Sequence, residues 1–180
     1  MFYGKQGIGK TETAKYLSKI LYGNTPILRE QMTMVGGETS IKYFKATSHT
    51  EDSFSKKLLN RRSNLVLLDE FALAPQFFHT SFFQMFNEGI YMDQNFNVDV
   101  KNSIIICTSN LLSIEDMENN IDVALLSRFD GFVHFSEFTL EDKEKILLKV
   151  RAQLPDLPNM RSIRKFMEDC ISDVLMNEIL

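Results

Sequence analysis

The 180-residue chain has few cysteines, no long apolar run and no excess of positive charge. Its two cysteines, Cys107 and Cys170, lie far apart, which excludes a disulfide framework and the close spacing of a structural zinc site. No window approaches the roughly 20 apolar residues of a membrane helix, and the first residues resemble no secretory signal. We therefore expect reduced thiols, a cytoplasmic location and no membrane partner.

The composition favours an ordered globular protein. Hydrophobic residues make up 44% of the chain, and 20 Lys and Arg stand against 24 Asp and Glu, giving a net charge of −4. The overall field therefore does not attract polyanions. At about 100–200 residues per domain, the length allows one full domain and a small appendage.

The first motif is a glycine-rich loop directly before a predicted helix that runs from Thr11 to Tyr22. The loop fits the pattern G-x-x-x-x-G-K-[ST], in which backbone N–H groups and the helix N-terminus bind phosphate. We expect Lys10 to hold the β- and γ-phosphates of ATP, or the β-phosphate of ADP, and Thr11 to ligate Mg²⁺. The alternative is a glycine-rich turn with a surface lysine. The predicted loop residues are Gly4, Lys5, Gln6, Gly7, Ile8, Gly9, Lys10 and Thr11.

The second motif is a continuous apolar run, residues 65–68, that ends in two acids. Such a run is typical of a strand buried on both faces of a parallel sheet. Asp69 is predicted to hold Mg²⁺ through water, and Glu70 to orient and deprotonate the attacking water. The alternative is that both are ordinary acids at a strand end.

The third motif is a polar strand end that follows the apolar residues 104–107 and consists of Thr108, Ser109 and Asn110. Asn110 is a candidate to position the same water or to sense the γ-phosphate. Asparagine is also common in turns after strands. The pattern alone leaves both interpretations open.

Strands alternate with helices along most of the chain, which predicts a layered α/β fold. We expect strands near residues 27–32, 65–68, 104–107 and 132–135, and one helix from Pro75 to Gly89. Because only three residues precede Gly4, the first strand is unusually short or the chain is a fragment of a longer protein. From Thr139 the pattern becomes helical. We therefore divide the chain into an α/β body, residues 1–138, and a small helical subdomain, residues 139–180.

Four blocks of the sequence carry a specific resemblance. They read GKQGIGKTETAKYLSKILYG, NLVLLDEFALAPQFFHTSFFQMFNEG, NSIIICTSNL and LLSRFDGFVHFSEFTLEDKEKIL. These blocks resemble successive blocks of an AAA+ ATPase and are most similar to the second ATPase module of the Clp chaperones. The resemblance implies a P-loop NTPase fold, a three-layer sandwich with a parallel sheet, and Mg²⁺-dependent ATP hydrolysis.

The same resemblance suggests two arginines. Arg128 matches the arginine finger of the family, and its alternative role is an internal ion pair with Asp130 or Glu137. Arg161 is similar to the sensor 2 arginine that reaches nucleotide from the helical subdomain. Its alternative is a solvated arginine at a helix start, and the nearby Arg164 competes for the assignment.

The resemblance also implies a homo-oligomer, a ring or partial ring, that remodels a macromolecule. Protein and nucleic acid are both open as that macromolecule, since residues 42–62 carry six basic and two acidic residues. Tyr43 and Phe44 are candidates for a substrate-gripping pore loop. Two further alternatives are a superfamily 3-like DNA helicase and a nucleotide-switched assembly module with negligible turnover.

Overall fold

The computed structural model describes residues 1–34, 37–45, 52–153 and 165–171. The strands are β1 (Phe2–Tyr3), β2 (Leu28–Gln31), β3 (Leu65–Asp69), β4 (Ile90–Met92), β5 (Asn97–Asp99), β6 (Ile104–Ser109) and β7 (Val133–His134). The helices are α1 (Lys10–Tyr22), α2 (Gly37–Lys45), α3 (Phe54–Leu59), α4 (Gln76–His79), α5 (Phe83–Glu88), α6 (Ile114–Asn120), α7 (Val123–Leu126) and α8 (Leu140–Gln153). Residues 165–171 form a further helix, α9.

Five of these strands form a parallel sheet in the order β2-β3-β6-β1-β7. The register pairs Gln31 with Asp69 and Tyr3 with Ser109. Since all five strands run in the same direction, their carboxyl ends meet at one edge of the sheet. That edge carries the acidic and polar strand ends that the sequence singles out.

Strand β3 explains the three layers, because its side chains alternate between the two faces of the sheet. Leu65 and Leu67 pack with Ala14 of α1 on one face. Val66 and Leu68 belong to a larger cluster on the other face, which is rich in phenylalanine. All of β3 is buried, as its continuous apolar run predicts.

The helix predicted from Pro75 to Gly89 is divided. A 3₁₀ turn, Thr80–Phe82, separates α4 from α5. The tighter turn leaves both Phe78 and Phe82 in the core. The predicted single helix is therefore wrong at its middle.

Some apolar residues on helices are exposed, and one hairpin was not predicted. Leu21 of α1 is 48% exposed, and Leu147 of α8 is 63% exposed. Strands β4 and β5 pair in an antiparallel hairpin that the sequence analysis did not identify.

The C-terminal part begins with a capped helix start at Thr139, the residue from which the sequence predicts helix. The Thr139 N–H donates to Oδ2 of Asp142 across 2.9 Å, and the Asp142 N–H donates to Oγ1 of Thr139 across 3.1 Å, which is a reciprocal capping box. Ile146 of α8 packs against Cys170 of α9. The boundary between residues 138 and 139 stays a prediction, and Arg161 lies outside the described residues.

Candidate functional site

The glycine-rich loop owes its shape to three glycines with positive φ: Gly4 at 135°, Gly7 at 82° and Gly9 at 94°. Side chains are disfavoured in that region of backbone space. At Gly4 a Cβ atom would also lie 2.3 Å from the carbonyl oxygen of Phe135, so only glycine fits there. The loop leads straight into α1, whose N-terminus carries the positive end of the helix dipole.

Lys10 is buried at the base of this loop. Its Nζ donates to the carbonyl oxygens of Gly4 at 2.7 Å and Lys5 at 2.6 Å, and to Oδ1 of Asn110 at 3.0 Å. Burial lowers the pKa of Lys10 from its ordinary value, while the nearby Asp69 raises it. The predicted phosphate-binding cation is therefore held inside the loop by oxygen acceptors.

Asp69 closes β3 and accepts hydrogen bonds on both carboxylate oxygens. Oδ1 accepts from the hydroxyls of Thr11 at 2.8 Å and Thr108 at 2.5 Å. Oδ2 accepts from Nε of Arg29 at 3.0 Å and from its Nη2 at 2.5 Å. Burial alone would raise the pKa of Asp69, but these hydrogen bonds outweigh it and hold the pKa below its ordinary value.

Glu70 follows with a left-handed backbone, at φ 56°. Its N–H donates to Oγ1 of Thr108 at 2.9 Å. Its carboxylate accepts from two amides: Oε1 from Nδ2 of Asn110 and Oε2 from Nε2 of Gln31, each at 3.0 Å. This unusual backbone turns the side chain toward the end of β6 on one side and β2 on the other.

Asn110 joins the two motifs, since it accepts from Lys10 and donates to Glu70. The five motif residues Lys10, Thr11, Asp69, Glu70 and Asn110 therefore come together as the sequence predicts. Three further residues were missed: Arg29, Gln31 and Thr108. The available signal was that Arg29 and Gln31 are two residues apart in a predicted strand, which places both on one face.

These residues surround a cavity of about 360 Å³. It is lined by the loop, by α1, by the ends of β2, β3 and β6, and by Ile171 of α9. Thr11 and Asp69 offer hard oxygen donors 2.8 Å apart, the kind of ligand that Mg²⁺ prefers. The residues present therefore fit a magnesium–nucleotide complex.

The comparison with known families decides the assignment. Residues 1–159 match the AAA domain family (Cdc48 subfamily). The chain belongs to this family. The AAA+ resemblance read from the four sequence blocks is thereby confirmed, as is the parallel α/β fold.

The relatives of this AAA domain include Clp proteins. It is 29% identical to the ATP-dependent Clp protease ATP-binding subunit ClpL of Staphylococcus aureus (strain bovine RF122 / ET3-1), over 82% of this chain and 24% of the relative. It is 29% identical to the chaperone protein ClpB of Malacoplasma penetrans (strain HF-2), over 83% of this chain and 24% of the relative. The chain spans about a quarter of the length of these relatives. They favour the Clp resemblance over the helicase alternative.

A solved structure shares the fold. It is the closed state of Hsp104 with ATPγS and FITC casein, with a TM-score of 0.70 and 19% sequence identity. The match covers 86% of this chain and 31% of the Hsp104 chain. Within the described ranges, no helix of the AAA domain has the length and apolar character to cross a membrane.

Arg128 lies away from the phosphate cavity. It lines a different cavity of about 450 Å³ beside the start of β1, and its guanidinium lies 4.9 Å from the ring centroid of Phe83. It donates to the carbonyl of Ala124, and Glu137, an expected alternative partner, pairs with Lys5 instead. The structure therefore does not bring Arg128 to the site of its own chain.

Tyr43 and Phe44 do not form a substrate-gripping loop in this structure. Phe44 is only 3% exposed and packs against the rings of Phe54, Phe78 and Phe82. The Tyr43 hydroxyl donates to Oε1 of Glu30 at 2.6 Å. Both aromatic residues therefore belong to the packing around α2.

The basic residues of positions 42–62 are partly neutralised by neighbours. Lys57 pairs with Glu30 at 2.8 Å, and Lys42 pairs with Glu38 at 3.1 Å. Arg61 donates to the carbonyl oxygens of Leu58 and Asp99. At least two of the six basic side chains are therefore paired with carboxylates, which weakens the argument for a nucleic-acid surface.

Proposed function

We propose that this AAA domain binds ATP with Mg²⁺ and hydrolyses it. The observation that carries the proposal is the convergence of Lys10, Asn110 and Glu70 beside the Thr11–Asp69 pair in one cavity. It is the arrangement that phosphoryl transfer to water requires.

Each of these residues has a distinct role in the proposed reaction. Lys10 exchanges its loop carbonyls for the β- and γ-phosphates, and Thr11 and Asp69 hold the metal. Glu70 accepts a proton from the attacking water, and Asn110 keeps that carboxylate in place. The bound metal supplies positive charge against the charge that develops on the phosphate oxygens.

The proposed active form is an oligomer, in a ring or partial ring. Arg128 is too remote to act on its own site, so we assign it to the site of a neighbouring copy. An arginine supplied in trans is worth about 10³–10⁵ in hydrolysis rate. In the isolated chain, Arg128 instead contacts the ring of Phe83 and the carbonyl of Ala124.

The proposed substrate is a protein that is remodelled in the cytoplasm. It is supported by two similar proteins, the chaperone protein ClpB and the Hsp104 structure with FITC casein. We keep residues 139–180 as the proposed helical subdomain and Arg161 as the proposed sensor 2 residue. We infer no membrane partner.

The decisive experiment mixes two inactive variants. Glu70→Gln lacks the base and Arg128→Ala lacks the trans cation, so each binds ATP and hydrolyses little alone. Mixing them restores part of the activity, because some interfaces then combine an intact Glu70 with an intact Arg128. Arg62→Ala, a change at an exposed arginine, serves as the control and keeps wild-type activity.

Two results would contradict the proposal. If the specific ATPase activity of the wild type does not change on dilution to the monomer, the site does not need a neighbouring copy. ATP binding without hydrolysis at any concentration favours the nucleotide-switched assembly module instead.

A further inference from the structure

Arg29 is an unassigned residue at the centre of the site. It lies on β2, in the strand next to β3, and contacts Oδ2 of Asp69 through two nitrogens, at 3.0 and 2.5 Å. The same guanidinium donates to Oε1 of Gln31 at 3.0 Å. The side chain of Arg29 is 42% exposed, whereas that of Asp69 is 4% exposed.

The hydrogen bonds of Asp69 leave little capacity for another partner. A carboxylate has about four lone-pair sites. Thr11 and Thr108 use those of Oδ1, and the two nitrogens of Arg29 use those of Oδ2. Any metal–water group that binds Asp69 therefore has to displace an existing donor.

Arg29 is the donor that is easiest to displace. Thr108 is buried, and Thr11 is expected to stay at the metal. A second cation at the same carboxylate also repels the guanidinium. Because Arg29 is partly exposed and lines the open phosphate cavity, it has space to turn away.

We propose that Arg29 is a positioning residue that competes with Mg²⁺ for Asp69. It pairs the buried carboxylate while the metal is away, since an unpaired buried charge is costly. It leaves Oδ2 when the magnesium–nucleotide complex binds. The inference rests on the proposed function, because it takes Thr11 and Asp69 as the residues that hold Mg²⁺.

The test measures binding of a fluorescent ADP analogue, first in EDTA and then across a range of free Mg²⁺. In Arg29→Gln we expect the half-saturating Mg²⁺ concentration to fall by about tenfold, within the usual range of coupling between sites. Binding in EDTA stays within about twofold of wild type, since Arg29 is not assigned to the phosphates. Arg29→Lys keeps the charge but loses the second nitrogen. Its half-saturating Mg²⁺ concentration therefore lies between those of Arg29→Gln and the wild type.

A second measurement does not involve nucleotide. In EDTA, Arg29→Gln lowers the melting temperature, because Asp69 loses its counter-ion. Added Mg²⁺ then raises the melting temperature of Arg29→Gln by more than it raises that of the wild type. Arg62→Gln at an exposed position changes neither quantity. If Arg29→Gln does not fold, the comparison of Arg29→Lys with wild type carries the test.

Three outcomes overturn the inference. An unchanged or higher Mg²⁺ requirement in the Arg29 variants shows that Arg29 does not compete. Weaker binding in EDTA with an unchanged Mg²⁺ requirement makes Arg29 a phosphate ligand. Failure of the wild type to bind nucleotide in EDTA and in Mg²⁺ overturns the proposed function first, and this inference with it.

Discussion

The amide nitrogen of Asn110 donates to Oε1 of Glu70 across 3.0 Å, which connects the end of β6 to the end of β3. The amide oxygen of the same residue accepts from Lys10 at 3.0 Å. One neutral side chain thus touches both the proposed base and the proposed phosphate-binding cation. Its position is sensitive to whatever Lys10 binds.

Asn110→Ala is expected to separate binding from turnover. Nucleotide affinity stays within a few-fold of wild type, because Lys10 and the loop are intact. The hydrolysis rate falls by about 10²-fold, the typical effect of a displaced catalytic group. Steady-state kinetics measure both quantities, and Asn120→Ala, at an exposed asparagine, is the control. An unaltered kcat would show that Asn110 has no role in hydrolysis.

Lys10→Ala is expected to weaken ATP and ADP binding by at least about 100-fold, since it leaves phosphate without its buried cation. Calorimetry measures the affinity directly. Lys15→Ala, one turn further along α1 and paired with Glu12, is the matched control and keeps wild-type affinity. Equal affinities in the two variants would refute the phosphate-binding assignment.

Phe44→Ala tests whether this residue belongs to the core. Because Phe44 is buried among three phenylalanine rings, we expect its truncation to lower the free energy of unfolding by about 3–5 kcal/mol. Tyr43→Phe removes only the hydrogen bond to Glu30 and costs about 1 kcal/mol. Chemical denaturation measures both. Full stability of Phe44→Ala would contradict the burial described here.

His79 is expected to make stability depend on pH. Burial lowers the pKa of His79, although the Phe71 carbonyl and Asp122 act in the opposite direction. The unfolded chain therefore takes up a proton near pH 6.5 that the folded chain resists, so stability is full above that pH and falls below it.

The corresponding measurement is the free energy of unfolding between pH 7.5 and about pH 5. His79→Gln should show a shallower decline than wild type, by at most about 1.4 kcal/mol per pH unit. His134→Gln, at an exposed histidine, should keep the wild-type slope. Parallel slopes for wild type and His79→Gln would rule out the contribution of His79.

The sequence predicts the site where a motif fixes local geometry. Thr11 follows Lys10 at the start of a helix, and Asp69 and Glu70 end a strand whose apolar run marks it as buried. Parallel strands then bring Asn110 to the same edge. Their place at one edge follows from strand direction, whereas the contacts of Asn110 also need β6 to lie between β3 and β1.

The contributions of Arg29 and Gln31 depend on strand order. Their strand lies next to β3 in the sheet, but no local pattern indicates which strands are neighbours. The burial of Phe44 was hidden for a similar reason, because its partners Phe78 and Phe82 are distant in sequence. The 3₁₀ turn at Thr80 reflects core packing, which helical periodicity does not report.

Gly4 packs closely against Phe135, so the phosphate loop is in direct contact with the chain that follows the last strand. The Phe135 N–H donates to the carbonyl of Tyr3 at 2.8 Å, and its ring packs against Ile8 of the loop. Lys5 holds Glu137, two residues further along. The chain then enters α8 at Leu140. The phosphate loop and the start of α8 are thus joined by direct contacts as well as through the sheet.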